Sequence, residues 1–191
     1  MKKVVSFFIF LGMVGIFSSP LICKTKKTKR DKKRKKIGEQ LYTSAQFGHL
    51  KKIKRLVEQK GADVNYVDGH SETALHEAAD EGHLDVVKYL VEKGSKIQTR
   101  DSKGRTALWQ AVDEGREDVV KYLLSKGAQV NIKSKKGIPL LQEAVLEKNL
   151  NIVKMLIEAG ADPFVTNKRG KKPINYAKKD IKKYLQQVMK K

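Results

Sequence analysis

Apolar residues recur through the middle of the chain in two alternating helical patterns. Leu75, Ala78 and Ala79 share one side of a short helix, while Val86, Val87, Leu90 and Val91 give a second helix an apolar face wide enough to be buried. The pair then returns at a fixed step of 33 residues. Thr73, Ala74, Leu75 and His76 are answered by Thr106, Ala107, Leu108 and Trp109, then by Pro139, Leu140, Leu141 and Gln142. Gly61, Gly94, Gly127 and Gly160 keep the same interval and mark where each second helix ends. Self-similarity at this period predicts a solenoid, in which a unit buries its apolar face only by stacking on its neighbours. Ala45, Ala78, Ala111 and Ala144 read as packing positions that let first helices lie close together. Gly82 and Gly115 supply the turn between helices, but Lys148 and Asn149 stand where the pattern has Gly and His, so a strained or adjusted turn is expected there.

The run from Thr73 to Leu90, Thr-Ala-Leu-His-Glu-Ala-Ala-Asp-Glu-Gly-His-Leu-Asp-Val-Val-Lys-Tyr-Leu, closely resembles the ankyrin repeat, and its end recurs letter for letter at Asp118 to Leu123. The resemblance implies an all-α ankyrin-repeat solenoid of about five helix-turn-helix units joined by β-turn or hairpin loops. It extends over residues 38–188: a degenerate N-terminal repeat at 38–66, then 67–99, 100–132 and 133–165, and a shortened capping repeat at 166–188 whose second helix begins early.

The resemblance also implies where a partner would be held, since ankyrin proteins usually contact partners through loop tips and the exposed side of the first helix. By position, the tips comprise Gly69, His70 and Glu72; Ser102, Lys103 and Arg105; Lys135, Lys136 and Ile138; and Lys168, Arg169 and Lys171. The helix positions are Gln46, Phe47, Glu77, Asp80, Glu81, Gln110, Asp113, Glu114, Glu143, Leu146 and Glu147. Tips from the third repeat onward are basic and the adjoining helix surface is acidic, a pairing that chiefly sets specificity and association rate. Tyr66, Trp109, Ile132, Ile138 and Leu146 are candidate apolar anchors. For Trp109 two readings stand: a binding hot spot in the place of the family's His, or a side chain packed between repeats.

The formal charge of +20 changes the picture only at the ends, because residues 37–167 carry equal numbers of acidic and basic side chains. Lys2 and Lys3, the apolar run Val4 to Phe17, and then Ser18, Ser19 and Pro20 form the three regions of a secretory signal peptide, so residues 1–23 are expected to be a leader or N-terminal anchor and the protein to be exported from a bacterial cytoplasm. Periplasmic, secreted and membrane-tethered destinations remain open. Cys23 is the sole cysteine; it excludes an internal disulfide and is a possible lipidation site, though Pro20 and Ile22 fit a lipoprotein signal poorly. Residues 24–37 read as a basic, disordered linker. Lys24 to Lys36 could instead adhere to an anionic membrane surface, each cation contributing about 1 kcal/mol. Nucleic acid is disfavoured, because no aromatic residues interleave the run.

The chemistry-bearing residues do not assemble into an active-site motif. His76, His49 and His83 fall at repeat positions, and His70 alone lies in a loop; no metal-ligand spacing, phosphate loop or nucleophile with a partnered base is present. The expectation is therefore a monomeric, non-enzymatic protein-binding module without cofactor or metal, its partner an unidentified protein. The alternatives are a secreted effector that binds a host protein and a basic adhesin for anionic lipid, wall polymer or nucleic acid.

Overall fold

The computed structural model describes residues 28–190. The leader at 1–23, the lipidation candidate Cys23 and the first part of the basic segment lie outside the described residues. Nine α-helices and a short 3₁₀ turn follow in order among the described residues: α1 (Lys29–Gln46), α2 (Leu50–Lys60), α3 (Ala74–Asp80), α4 (Leu84–Glu92), α5 (Ala107–Asp113), α6 (Glu117–Ser125), α7 (Leu140–Leu146), α8 (Leu150–Glu158), the 3₁₀ turn Pro173–Asn175 and α9 (Lys179–Val188). The described chain is all-α, its sole extended pairing a single antiparallel bridge between Lys133 and Pro139 at the base of one loop.

The helices form two layers. In one, α1, α3, α5 and α7 pack side by side and the 3₁₀ turn closes the row; in the other, α2, α4, α6, α8 and α9 do the same, each unit joining its own two helices across the layers. The core lies between and repeats with the sequence. Leu75, Leu108 and Leu141, Val87, Val120 and Val153, and Leu90, Leu123 and Leu156 are all buried. The alanines Ala45, Ala78, Ala111 and Ala144 are fully enclosed between successive first helices.

Local chemistry sets the boundaries. Thr106 Oγ1 accepts the Trp109 backbone N–H at 3.3 Å and caps α5, while Thr73 and His76 cap α3 reciprocally. Between α7 and α8 the chain turns at Lys148, which adopts φ 58°, the left-handed value that glycine takes at Gly82 and Gly115. The expected strained turn is thus present. Asn149 offsets it in part: its Oδ1 caps Ile152 N–H at 3.0 Å and its Nδ2 donates to Glu117 of the preceding unit at 3.0 Å.

Two expectations are corrected. Residues 29–37 are not a disordered linker but the first turns of α1, continuous with the N-terminal repeat. Thr28 and Asp31 form a capping box that starts the helix, Lys and Arg are good helix formers, and extending a helix already packed at Leu41 and Ala45 avoids a new nucleation cost. Trp109 is 2% exposed and packs into the core, which removes it as a contact anchor; Ile132 is buried as well.

Because Lys148 pays for a left-handed conformation without needing its side chain, Lys148→Gly should stabilise the domain by about 0.5–1 kcal/mol, after the larger unfolded-state entropy of glycine is allowed for. A raised urea midpoint at unchanged slope is the expected result, and a lowered midpoint would show that the lysine side chain contributes packing there.

Candidate functional site

Each loop between units is a short finger closed by its own polar residue. Asp68 Oδ1 accepts the N–H groups of His70 and Glu72 at 2.8 Å each; Asp101 Oδ1 accepts those of Lys103 at 2.8 Å and Arg105 at 2.7 Å; Asn167 does the same for Arg169 and Lys171. The fingers are then tied in series, with Ser102 N–H donating to His70 C=O and Lys135 N–H to Lys103 C=O, both at 2.8 Å. His70, Lys103, Lys135 and Lys136 therefore occupy one exposed edge, as the sequence placed them.

The face formed by the first helices is strongly acidic, and Arg105 is its one interior cation among the residues that meet there. Its Nε contacts Asp101 Oδ2 at 2.9 Å, and its terminal nitrogens lie 3.5 Å from Glu72 and 3.5 Å from Asp113. Read from the sequence as a basic tip, Arg105 is instead a half-buried strut between two fingers and α5. Burial opposes charge on Asp101, but the backbone N–H, guanidinium and positive charge of Arg105 together hold that carboxyl below its ordinary range.

Tyr42, which sequence reasoning missed, also belongs to this face. Its hydroxyl donates to Glu77 and, at 3.1 Å, to Glu72. The signal was available, since Tyr42 follows Leu41 at the repeat position filled later by His76, Trp109 and Gln142. Burial, with the nearby Glu77 and Glu72, pushes the phenol well above its usual range. Glu77 and Gln110, expected as accessible contacts, are buried: Glu77 beneath Tyr42, and Gln110 with its amide nitrogen 3.4 Å from Glu72 and its carbonyl oxygen without a partner. Tyr66 and Ile138 are half-buried, Tyr66 against the backbone of Gly38 and Ile138 against the core, whereas Leu146 is 41% exposed and stays accessible. Phe47, at the end of α1, is 60% exposed.

Glu81, Glu114 and Glu147 are exposed along this face, with Asp80, Asp113 and Glu143 half-buried beside them. Burial, then the charges of Glu114 and Glu81, raises Asp80 above its ordinary value. Carboxylate oxygens of Asp113, Glu143 and Glu147 come within 4.8 Å of one another, a convergence invisible in sequence spacing because successive repeats supply them. Three such oxygens could contribute to a hard cation site but fall short of the six or more ligands that calcium takes. Burial, followed by the charge of Asp113, pushes Glu143 up to about 7.

The sign of that shift makes Glu143 destabilising when ionised. A carboxyl whose folded pKa is raised binds more protons folded than unfolded, so its contribution to stability falls as pH rises from about 4.5 to about 7 and stays low above that. Glu143→Gln should flatten this part of the stability–pH profile and raise stability at pH 8 by roughly 1 kcal/mol, after solvent screening at this half-exposed site. Thermal melts of both proteins at pH 5 and pH 8 would check this, and an unchanged pH slope would contradict the assignment.

The comparisons agree with this geometry. Residues 38–134 match a family model of ankyrin repeats in three copies, and residues 136–168 match the single ankyrin repeat. Human ankyrin repeat domain-containing protein 7 is 42% identical over 59 residues, covering 31% of this chain and 23% of that protein. Alpha-latrocrustotoxin-Lt1a of Latrodectus tredecimguttatus is 44% identical over 52 residues, covering 27% of this chain and 4% of the toxin. The matched part of this chain thus spans less than a quarter of either relative. Ankyrin repeats are protein–protein interaction scaffolds, typically without enzymatic activity. With the 33-residue stacking, the paired helical layers and family matches over more than half its length, this chain belongs to the ankyrin-repeat family.

Proposed function

We propose that this scaffold grips a polypeptide across the junction of its fingers and first helices, outside the cytoplasm of a bacterium. The observation that carries the reading is the juxtaposition of an exposed acidic strip, Glu81, Glu114 and Glu147, with half-buried Asp80 beside it, and an exposed basic edge, Lys103, Lys135 and Lys136. A segment with basic side chains toward the helices and acidic ones toward the fingertips complements both. Leu146 and Phe47 offer the accessible apolar contacts that charge alone does not supply. Arg105 is satisfied by three carboxylates and is a support for the surface rather than a contact to the partner.

Export is supported by the leader-like residues 1–23, and a secreted effector directed at a host protein is the variant of this reading in which the partner is foreign. Charge reversal at Glu81, Glu114 and Glu147 should abolish crosslinking of the partner while leaving the thermal midpoint nearly unchanged, because these groups lie at the surface. Intact crosslinking in that triple variant would move the site elsewhere. Fractionation of the native cells followed by intact-mass measurement tests the destination: a chain starting near Lys24 in periplasm or medium fits a soluble binder, an acylated Cys23 fits a tethered one, and a full-length chain in the cytoplasm overturns export.

A further inference from the structure

We infer that the N-terminal end of the solenoid carries a second, separate docking groove for an extended acidic segment of another polypeptide. A groove of about 860 Å³ opens between the first turns of α1 and the finger at residues 60–69. Arg30, Lys33 and Arg34 line it from α1 and Lys60, the last residue of α2, from the opposite side. None of these four side chains makes an ion pair or hydrogen bond among the described residues, where Lys35 with Glu39 is the sole pair on the basic turns.

The acidic residues along the groove, Asp31, Asp63 and Asp68, offset only part of the charge of Arg30, Lys33, Arg34, Lys35 and Lys60, and each is held by its own stretch of chain. Asp31 Oδ2 accepts from the Thr28 N–H at 3.1 Å and the Thr28 hydroxyl at 2.7 Å; Asp63 Oδ1 takes the Asn65 N–H at 2.9 Å; Asp68 is spent on closing the finger. Arg30 and Arg34 act on Asp31 through charge alone, and the donor groups of Arg30, Lys33, Arg34 and Lys60 stay uncommitted among the described residues.

The backbone adds a donor. Later fingers are tied to their predecessors through the N–H groups of Ser102 and Lys135, each donating to the carbonyl of the finger before. One repeat earlier the equivalent position is Gly69, which lines the groove, has no finger before it and finds no acceptor for its N–H among the described residues. The groove is the place where a preceding finger would stack, and an extended chain supplies the missing carbonyl in the same way that added strands use open sheet edges. Ile37, Tyr66 and Val67, the last 44% exposed, give the occupant's side chain an apolar seat.

These features select the occupant. Lys24, Lys26 and Lys27 bear the same charge as the helix wall and do not supply the acidic occupant that it calls for. A bilayer would meet the exposed lysines but has no single extended chain to pair with the backbone donor beside the apolar seat. An extended peptide with carboxylates on both sides of one aliphatic or aromatic residue engages all three.

The test uses the full chain and a fluorescent peptide in which glutamates alternate with leucines, read by anisotropy, beside an all-glutamate peptide and phosphatidylglycerol vesicles. The alternating peptide should bind, and Arg30→Glu with Arg34→Glu should weaken it roughly tenfold or more. Lys60→Glu on the opposite wall and Val67→Asp at the apolar seat should each weaken it too, with melting unchanged because all these side chains are exposed or nearly so. Reversal of Glu81, Glu114 and Glu147 should leave this binding intact, which separates the groove from the site proposed above. Peptide binding indifferent to the reversals, equal binding of the all-glutamate peptide with no effect of Val67→Asp, or capture of vesicles with neglect of the peptide would each overturn the proposal.

Discussion

Everything in this domain rests on the requirement that a unit be completed by the next one. A helix pair of this length cannot bury its apolar face alone, so Leu75, Val87 and Leu90 are enclosed because α3 and α4 pack against the neighbouring units. The polar backbone obeys the same rule. Asn65 donates to Gly94 C=O at 3.1 Å and accepts Lys96 N–H at 2.8 Å; Gln98 clasps Gly127 and Gln129, and Asn131 clasps Gly160 and Asp162, by the same pair of bonds. An amide side chain suits this place because it carries a donor and an acceptor side by side on one planar group.

A second register of contacts crosses the turns between helices. His83 Nε2 meets Gln46 C=O at 2.9 Å, Arg116 Nε donates to Asp80 C=O at 2.8 Å, and Asn149 reaches Glu117. Three different residue types do one job, which is to hold the start of each second helix onto the unit before it. This tolerance explains how the fourth unit keeps its place with Lys148 and Asn149 where its neighbours have glycine and a longer polar side chain.

Stacking also creates the electrostatics. Acidic side chains that each repeat sends to the same face are brought close to those of the next, and the lower solvation there raises Asp80 and Glu143 instead of letting them titrate normally. Arg105 relieves one part of the face by tying Glu72, Asp101 and Asp113 together, while Asp113, Glu143 and Glu147 remain crowded further along. At the ends the same logic runs differently: α9 covers the last unit with Ile181 and Leu185 turned inward and lysines outward, whereas the first finger has no predecessor and α1 reaches past it.

Much of the fold was written in the chain itself. The 33-residue interval, the helical spacing of Leu75 to Ala79 and Val86 to Val91, and the substitution at Lys148 all act through local geometry, so helices, turns and the strained residue could be read directly. The basic, exposed edge of Lys103, Lys135 and Lys136 was legible for the same reason, because each repeat delivers its tip to an equivalent place. What lay beyond the sequence was every property arising between repeats. Trp109 and Gln110 have side chains that suit a contact surface as well as an interior, and packing against neighbouring units buried them. Arg105 looked like one more basic tip until carboxylates from three positions closed on it, and Lys29 to Lys36 looked like a solvated linker until continuity with a packed helix ordered them. The periodicity of a chain determines what each unit is; which of its side chains are spent on the neighbour is decided by distances between units, and those exist only once the solenoid has stacked.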